Sequence, residues 1–109
     1  MLELWQTEWC PASHRVRERL TELGVEYVTR QVSVERENRN ALRAAAGTDS
    51  IPALVLEDGS AVVGDAAIGS WLDDHFTEPA EAEAHRLKAA KARRRYLEEE
   101  CTCLQPATH

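Results

Sequence analysis

The chain has 109 residues, of which 43% are hydrophobic and 29% are charged, and its formal net charge is −6. This composition predicts one folded domain and argues against a disordered chain. The charge argues against a nucleic-acid partner, because the first 78 residues hold 14 acidic and 7 basic side chains and repel phosphate. The basic cluster from Lys88 to Arg95 is therefore predicted to be a solvated helix face.

The export and redox signals of the chain point to a reducing compartment. No apolar run is long enough to cross a bilayer, and the N-terminus, with Glu3 and Glu8, lacks the parts of a secretory signal. We therefore expect a cytoplasmic protein with no membrane partner. An odd number of cysteines (Cys10, Cys101 and Cys103) favours reactive or reduced thiols over a disulfide scaffold.

The first half of the chain predicts strands that alternate with helices. After Pro11, apolar side chains recur at helical spacing up to Gly24, a residue favoured just past a helix end. A second helical segment has Leu42, Ala45 and Ala46 as its predicted inward side. In chain order, these elements are a strand at residues 2–5, a helix over 11–23, a strand at 26–34 and a helix at 35–46.

The next segment predicts a hairpin and a third helix. Asp58 and Gly59 separate two apolar runs, which is the strongest short signal for a pair of antiparallel strands. Asp65 is a plausible N-cap of the helix that follows. One side of this helix is predicted to be apolar and holds Ile68, Trp71, Leu72 and Phe76.

The order β-α-β-α-β-β-α predicts an α/β fold with a four-stranded mixed sheet and helices on both faces. A highly charged fourth helix follows, with a thin apolar stripe predicted at Ala80, Ala84, Leu87 and Leu97. Because this stripe buries little surface, the helix is expected to depend on charge pairs or on a partner chain. We divide the chain into a domain at 1–77, a C-terminal helix at 78–100 and a flexible tail at 101–109.

Cys10 stands directly before Pro11, at the point where the first helix is predicted to begin. Proline is favoured at the first helical position, which makes Cys10 the N-cap. Its sulfur then faces unpaired N–H groups near Ala12 and Ser13 and the positive end of the helix dipole, which stabilise a thiolate. The alternative is that Cys10 is a small buried hydrophobic residue.

Three motifs in chain order resemble the thioredoxin-like fold, and within it glutaredoxins and the N-terminal domain of glutathione transferases of the omega and dehydroascorbate reductase type. The motifs are WCPASHRVRERL at 9–20, SIPALV at 50–55 and GDAAIGSWL at 64–72. The resemblance covers about residues 1–77. It implies the same fold that the strand and helix pattern predicts.

The resemblance also implies how a thiol ligand is held. Pro52 is expected to be a cis proline beside the active sulfur, with the backbone of Ile51 offered to the cysteinyl part of glutathione and Trp9 as a groove wall. In the transferases, an acidic residue followed by serine binds the γ-glutamyl end of glutathione at the start of the corresponding helix. By this resemblance, Gly64 stands at the acidic position and Asp65 at the serine position. Asp65 suits an amino group but repels a carboxylate, so a different low-molecular-weight thiol stays open as the ligand.

Ser13 stands where dithiol glutaredoxins carry a second cysteine, so the resemblance implies a monothiol thiol-disulfide oxidoreductase acting on low-molecular-weight thiols and disulfides. Glutathione or a glutathione-like thiol is the implied co-substrate, and no metal is expected. The catalytic candidates are Cys10 and Ser13, the thiol-ligand candidates are Trp9, Pro11, Ile51, Pro52, Gly64 and Asp65, and the auxiliary candidates are His14 and Arg17.

Two other functions stay open. One is a non-catalytic binding or assembly module that recruits a protein partner through the fourth helix. The other is an iron-sulfur carrier, although glycine rather than Pro11 usually follows the cysteine in such proteins. Only one charged helix follows residue 77, so transferase activity toward bulky electrophiles is not expected. Cys101 and Cys103 could be distant resolving thiols or a weak metal pair, but two ligands do not make a metal site, and we interpret them as tail residues whose redox potential is accidental.

Overall fold

A computed structural model describes residues 1–95 of the chain. The strands and helices alternate up to α2, and a hairpin and two further helices follow. The elements are β1 (Leu2–Gln6), α1 (Pro11–Glu22), β2 (Tyr27–Gln31), α2 (Asn40–Ala46), β3 (Ala53–Val55), β4 (Ala61–Val63), α3 (Asp65–His75) and α4 (Ala82–Arg94).

The four strands form one mixed sheet in the order β2-β1-β3-β4. β1 runs parallel to β2 and antiparallel to β3, so that Leu4 lies between Thr29 and Leu54. The predicted hairpin joins β3 to β4, and its turn is stabilised because Asp58 Oδ1 accepts a hydrogen bond from the Ser60 N–H at 2.9 Å. The predicted α/β fold with a four-stranded mixed sheet is confirmed.

The core is divided between the two faces of the sheet because successive strand residues point to opposite sides. Trp5 packs with Leu42 of α2 and with Ala53 on one face of the sheet. This agrees with the prediction that Leu42 lies on the inward side of α2. Leu4, the neighbour of Trp5, belongs to the other face, between the sheet and helices α1 and α3. The buried side chains on that face are Leu2, Leu4, Val16, Leu20, Leu23, Leu54, Ile68 and Leu72.

The helix predicted at 35–46 is interrupted. A short 3₁₀ helix (Arg36–Asn38) comes first, and α2 begins only after Arg39, whose backbone is not helical. The guanidinium of Arg39 is buried and donates to the backbone oxygens of Ser33 at 2.8 Å and Asp49 at 2.9 Å. This cation fixes the chain between the two helical pieces, since its hydrogen bonds reach both neighbouring loops.

The second strand is also shorter than the predicted 26–34. It ends at Gln31, and the backbone oxygens of Ser33 and Val34 accept hydrogen bonds from Arg39. Arg39 therefore accounts for both departures from the predicted elements.

The fourth helix buries little of its predicted apolar stripe, as expected. Ala80 and Ala84 are exposed and Leu87 is 65% exposed, whereas Ala82, outside the stripe, is fully buried. Leu97 lies outside the described residues. Ion pairs connect α4 to α1, in agreement with the expected dependence on charge pairs.

Two of these ion pairs belong to Arg86 of α4. It contacts Glu22 of α1 and Glu78, in each case at 2.8 Å.

The predicted boundary between residues 77 and 78 falls in the segment that joins α3 to α4. Within residues 1–95, no helix combines the length and the apolar character that crossing a membrane requires.

Candidate active site at the opening of α1

Cys10 is the N-cap of α1, and Pro11 is the first residue of that helix. The backbone of Cys10 is extended, with φ −70° and ψ 119°, and its carbonyl accepts the first helical hydrogen bond from the His14 N–H at 3.0 Å. The N–H of Ser13 donates to the Cys10 sulfur at 3.4 Å. Cys10 as a residue is only partly buried, so its sulfur is held at the helix opening and not in the interior of the core.

The surroundings of Cys10 lower the pKa of its thiol below the ordinary value for cysteine. Partial burial is the largest single effect and raises the pKa. It is outweighed by the Ser13 hydroxyl near the sulfur, by the hydrogen bond from the Ser13 N–H, by the N–H of Ala12 and by the positive charge of Arg15. The Ser13 hydroxyl is fully buried and has no hydrogen-bond partner of ordinary geometry among the described residues, which leaves it available to the sulfur. The site therefore favours the thiolate.

The residues that flank the sulfur are exposed. Trp9 has 72% of its surface exposed, and Pro11 is also exposed. The loop between β1 and α1 is closed by a hydrogen bond from the Cys10 N–H to the Thr7 carbonyl at 3.3 Å. A solvent-exposed tryptophan thus stands next to Cys10.

Ile51 and Pro52 lie at the edge of the sheet where β1 ends. The peptide bond between them is cis, and Pro52 is buried. Because Ala53 pairs with Trp5 in antiparallel register, the residue before Ala53 lies beside the end of β1, from which the chain continues to Cys10. The topology thus brings this dipeptide to the same end of the sheet as the loop that carries the thiol.

Gly64 connects this edge to α3. Its N–H donates to the Pro52 carbonyl at 2.9 Å, and Gly64 rather than Asp65 is the N-cap of α3. The backbone of Gly64 has φ 94°, a value that glycine adopts without steric cost. The sequence-based prediction of Asp65 as the N-cap is wrong, because Asp65 is already the first helical residue and its side chain has another partner.

That partner is Arg15, which the sequence analysis missed. Its Nε donates to Asp65 Oδ2 at 2.8 Å, so the openings of α1 and α3 are joined by an ion pair. The hydrogen bond from Arg15 lowers the pKa of the Asp65 carboxyl. Arg15 is five residues from Cys10 and 50 from Asp65, and no local pattern connects the three positions.

The auxiliary candidates His14 and Arg17 have partners of their own. His14 Nε2 lies 2.6 Å from Glu18 Oε1, one helical turn along α1. Arg17 donates to the side-chain oxygen of Gln6 and, at 3.4 Å, to the backbone oxygen of Glu8. Arg15, rather than either of these two, is the cation of α1 that contributes to lowering the Cys10 pKa.

Metal sites and the state of the cysteines can be described for residues 1–95. Within residues 1–95, no group of three or more His, Cys, Asp or Glu side chains is arranged to hold a metal ion. Cys10 is a free thiol. The predicted alternatives for Cys101 and Cys103 lie outside the described residues.

Comparison with known proteins places these features in context. Residues 9–75 match a family model described as glutathione S-transferase, N-terminal domain. A glutathione S-transferase from Rhodospirillum rubrum F11 is 28% identical over 88% of this chain and 46% of its own, with a TM-score of 0.60. A glutathione S-transferase domain-containing protein from Marinobacter aquaeolei VT8 is 26% identical over 84% of this chain and 50% of its own, with a TM-score of 0.60.

A third similar structure, a glutathione transferase homolog from Sulfitobacter, contains bound glutathione. It is 21% identical over 86% of this chain and 48% of its own, with a TM-score of 0.62, and this likeness shows the fold alone. No curated protein is significantly similar in sequence. The chain spans about half the length of the solved structures that it matches.

Proposed function

Because this chain belongs to the glutathione S-transferase N-terminal domain family, we propose that it is a glutathione-dependent thiol-disulfide oxidoreductase with Cys10 as its nucleophile. One observation carries the proposal: Cys10 is the N-cap of α1, its sulfur accepts a hydrogen bond from the Ser13 N–H, and the residue is only partly buried. A thiolate is the reactive form of cysteine, and this position favours it. The family supports a glutathione-related activity, and the position of the sulfur supports the oxidoreductase chemistry.

The proposed reaction has two exchange steps. The Cys10 thiolate attacks the glutathione sulfur of a mixed disulfide, a new disulfide forms between Cys10 and glutathione, and the other thiol leaves as a thiolate. A second glutathione thiolate then attacks the glutathione sulfur of that intermediate, which releases glutathione disulfide and restores the Cys10 thiolate. Ser13 occupies the position of a second cysteine, so the resolving thiol comes from solution. In sum, one mixed disulfide and one glutathione thiolate become one free thiolate and one glutathione disulfide.

The same site suggests how glutathione is held. The backbone of Ile51, before Pro52, is proposed to meet the cysteinyl part of the ligand, and Trp9 and Pro11 to border it. From the sequence, Asp65 was expected to repel a carboxylate of the ligand. In the structure, however, Asp65 is paired with Arg15. We therefore propose that Asp65 receives the ammonium group and Arg15 the carboxylate of a γ-glutamyl head beside Gly64.

A reduction assay with a small mixed disulfide of glutathione tests this function. We expect the wild-type chain to catalyse the reaction at neutral pH, and Cys10→Ser to fall to the uncatalysed background. The matched control is the double variant Cys101→Ser/Cys103→Ser, which retains Cys10 and is expected to keep the wild-type rate.

Two outcomes count against the proposal. A rate that falls in the double variant, and not in Cys10→Ser, assigns the chemistry to the tail. Equal background rates in the wild type and in Cys10→Ser favour a non-catalytic binding module that keeps the fold.

A further inference from the structure

Arg39 is a buried cation that binds two loops through their backbone. It is 9% exposed, and it donates to the carbonyls of Ser33 at 2.8 Å, Asp49 at 2.9 Å and Val34 at 3.2 Å. Each bond comes from a different nitrogen of one rigid plane, which a guanidinium offers and an ammonium group does not. Arg39 therefore fixes the loop after β2 and the loop before β3 relative to each other.

Arg36 binds the loop before β3 through its side chains. Its Nη2 donates to Asp49 Oδ1 at 2.7 Å and to Ser50 Oγ at 3.1 Å. Arg43 of α2 lies 3.5 Å from the other carboxylate oxygen of Asp49. Because the Arg36 side chain is 62% exposed, its contacts are expected to be weaker than the buried bond from Arg39 to the Asp49 carbonyl.

The next residue, Ile51, has a backbone that the chain itself does not use. In the described part of the chain, neither its N–H nor its carbonyl has a hydrogen-bond partner. The residues on its two sides are bound: the Pro52 carbonyl accepts from the Gly64 N–H at 2.9 Å, and the Ser50 N–H donates to Thr48 Oγ1 at 3.0 Å. The position of the Ile51 backbone is therefore set by its neighbours.

From these contacts we infer that Arg39, assisted by Arg36, is a positioning residue for the thiol ligand. It fixes Asp49 and Ser50, and it thereby holds the free backbone groups of Ile51 where the ligand meets them. The inference rests on the proposed function, because that function assigns the Ile51 backbone to glutathione. Arg39 acts through this loop and not on the Cys10 sulfur.

Steady-state kinetics with a small mixed disulfide of glutathione separate positioning from folding. Arg39→Lys keeps the charge, but its single nitrogen cannot replace three donors in one plane. We expect KM for the mixed disulfide to rise about tenfold with kcat unchanged, because ligand binding is weakened and the thiol chemistry is not. A purely structural role would instead reduce the folded fraction, which lowers the apparent kcat and leaves KM as it is. An unchanged KM, or a fall in kcat alone, overturns the inference.

A second variant keeps the test decisive if Arg39→Lys fails to fold. Arg36→Gln changes an exposed side chain, and it should raise KM about twofold because the loop loses one partly screened contact. The matched control is Arg30→Gln, since Arg30 is also exposed and is paired with Glu3 at 3.0 Å on the sheet. Equal KM values in Arg36→Gln and Arg30→Gln overturn the inference.

Hydrogen exchange distinguishes a failure of this inference from a failure of the proposed function. A wild-type chain that does not reduce the mixed disulfide shows that the proposed function is wrong, and exchange at the Ser50 N–H then decides the role of Arg39. We expect this N–H to exchange about tenfold faster in Arg39→Lys than in the wild type, while the Leu54 N–H in the centre of β3 is unchanged. Equal exchange of the Ser50 N–H in the two proteins overturns the inference.

Discussion

The two ends of α1 are stabilised by different interactions. At its opening, the Cys10 sulfur receives hydrogen bonds from Ser13 and Ala12, whose N–H groups are fixed by the helix itself. At its other end, Arg19 and Glu22 make ion pairs with side chains of α3, α4 and the segment between them. Backbone amides keep their place at any salt concentration, whereas ion pairs that solvent partly reaches are weakened by salt screening. The thiolate should therefore be independent of how firmly α4 is attached.

The largest expected effect is on the free energy of unfolding, and it comes from a buried side chain of α1 that lies between the two ends of this helix. Leu20 is fully buried between α1, the sheet and α3. Leu20→Ala should lower the free energy of unfolding by about 2–5 kcal/mol, because it removes buried methyl groups and leaves a cavity. Urea unfolding measures this change, and Thr21→Ala, at the exposed neighbouring position, is the control. Equal destabilisation by the two variants would contradict the described core.

A smaller change is expected from the hydroxyl of Ser13. Ser13→Ala keeps both backbone N–H groups and removes the hydroxyl, whose presence near the sulfur lowers the Cys10 pKa, so the pKa should rise. At neutral pH the thiolate fraction, and with it the rate of alkylation, should fall. Ser70→Ala, at an exposed position of α3, should leave the pH dependence unchanged. An unaltered inflection in Ser13→Ala would mean that the hydroxyl does not reach the sulfur.

Two arginines near the opening of α1 are expected to differ in their effect on the Cys10 pKa. Arg15→Gln removes a charge that lowers the Cys10 pKa, so the pKa should rise, and by less than in Ser13→Ala. Arg17→Gln removes a charge of the same helix that is bound to Gln6. It should leave the Cys10 inflection in place. The account is wrong on this point if the two variants shift the inflection equally.

Salt should produce the smallest effect on the thiol. At about 1 M salt, screening acts over roughly 3 Å, and the ion pairs of Arg86 with Glu22 and Glu78 should weaken. Hydrogen exchange should then be faster in α4, while the Cys10 inflection moves little. Arg86→Gln at low salt should reproduce the faster exchange. A large salt-dependent shift at Cys10 would show that the two ends of α1 are coupled.

Much of the fold is predictable from sequence because it depends on local patterns. Asp58 and Gly59 mark the hairpin, Leu42 marks the inner side of α2, and Pro11 marks the start of α1. The placement of Cys10 as the N-cap follows from that proline alone, since a helix that begins there needs a residue before it.

The features that could not be predicted involve side chains far apart in the sequence. Arg39 binds the carbonyls of two loops, and Arg15 binds Asp65 across 50 residues. Helical periodicity describes which residues share a face, but it does not say which charged partner a neighbouring element supplies. For the same reason, the face of α4 that contains Ala82 and Arg86 could not be identified from its apolar stripe.

The rate of Cys10 alkylation as a function of pH tests the central claim most directly. Cys101→Ser/Cys103→Ser is the suitable protein, because Cys10 is then its only thiol. Since the helix opening stabilises the thiolate, the rate should rise with pH to an inflection clearly below about 8.5, the ordinary value for cysteine. An inflection at or above that value would contradict the account, because the sulfur would then be an unactivated thiol.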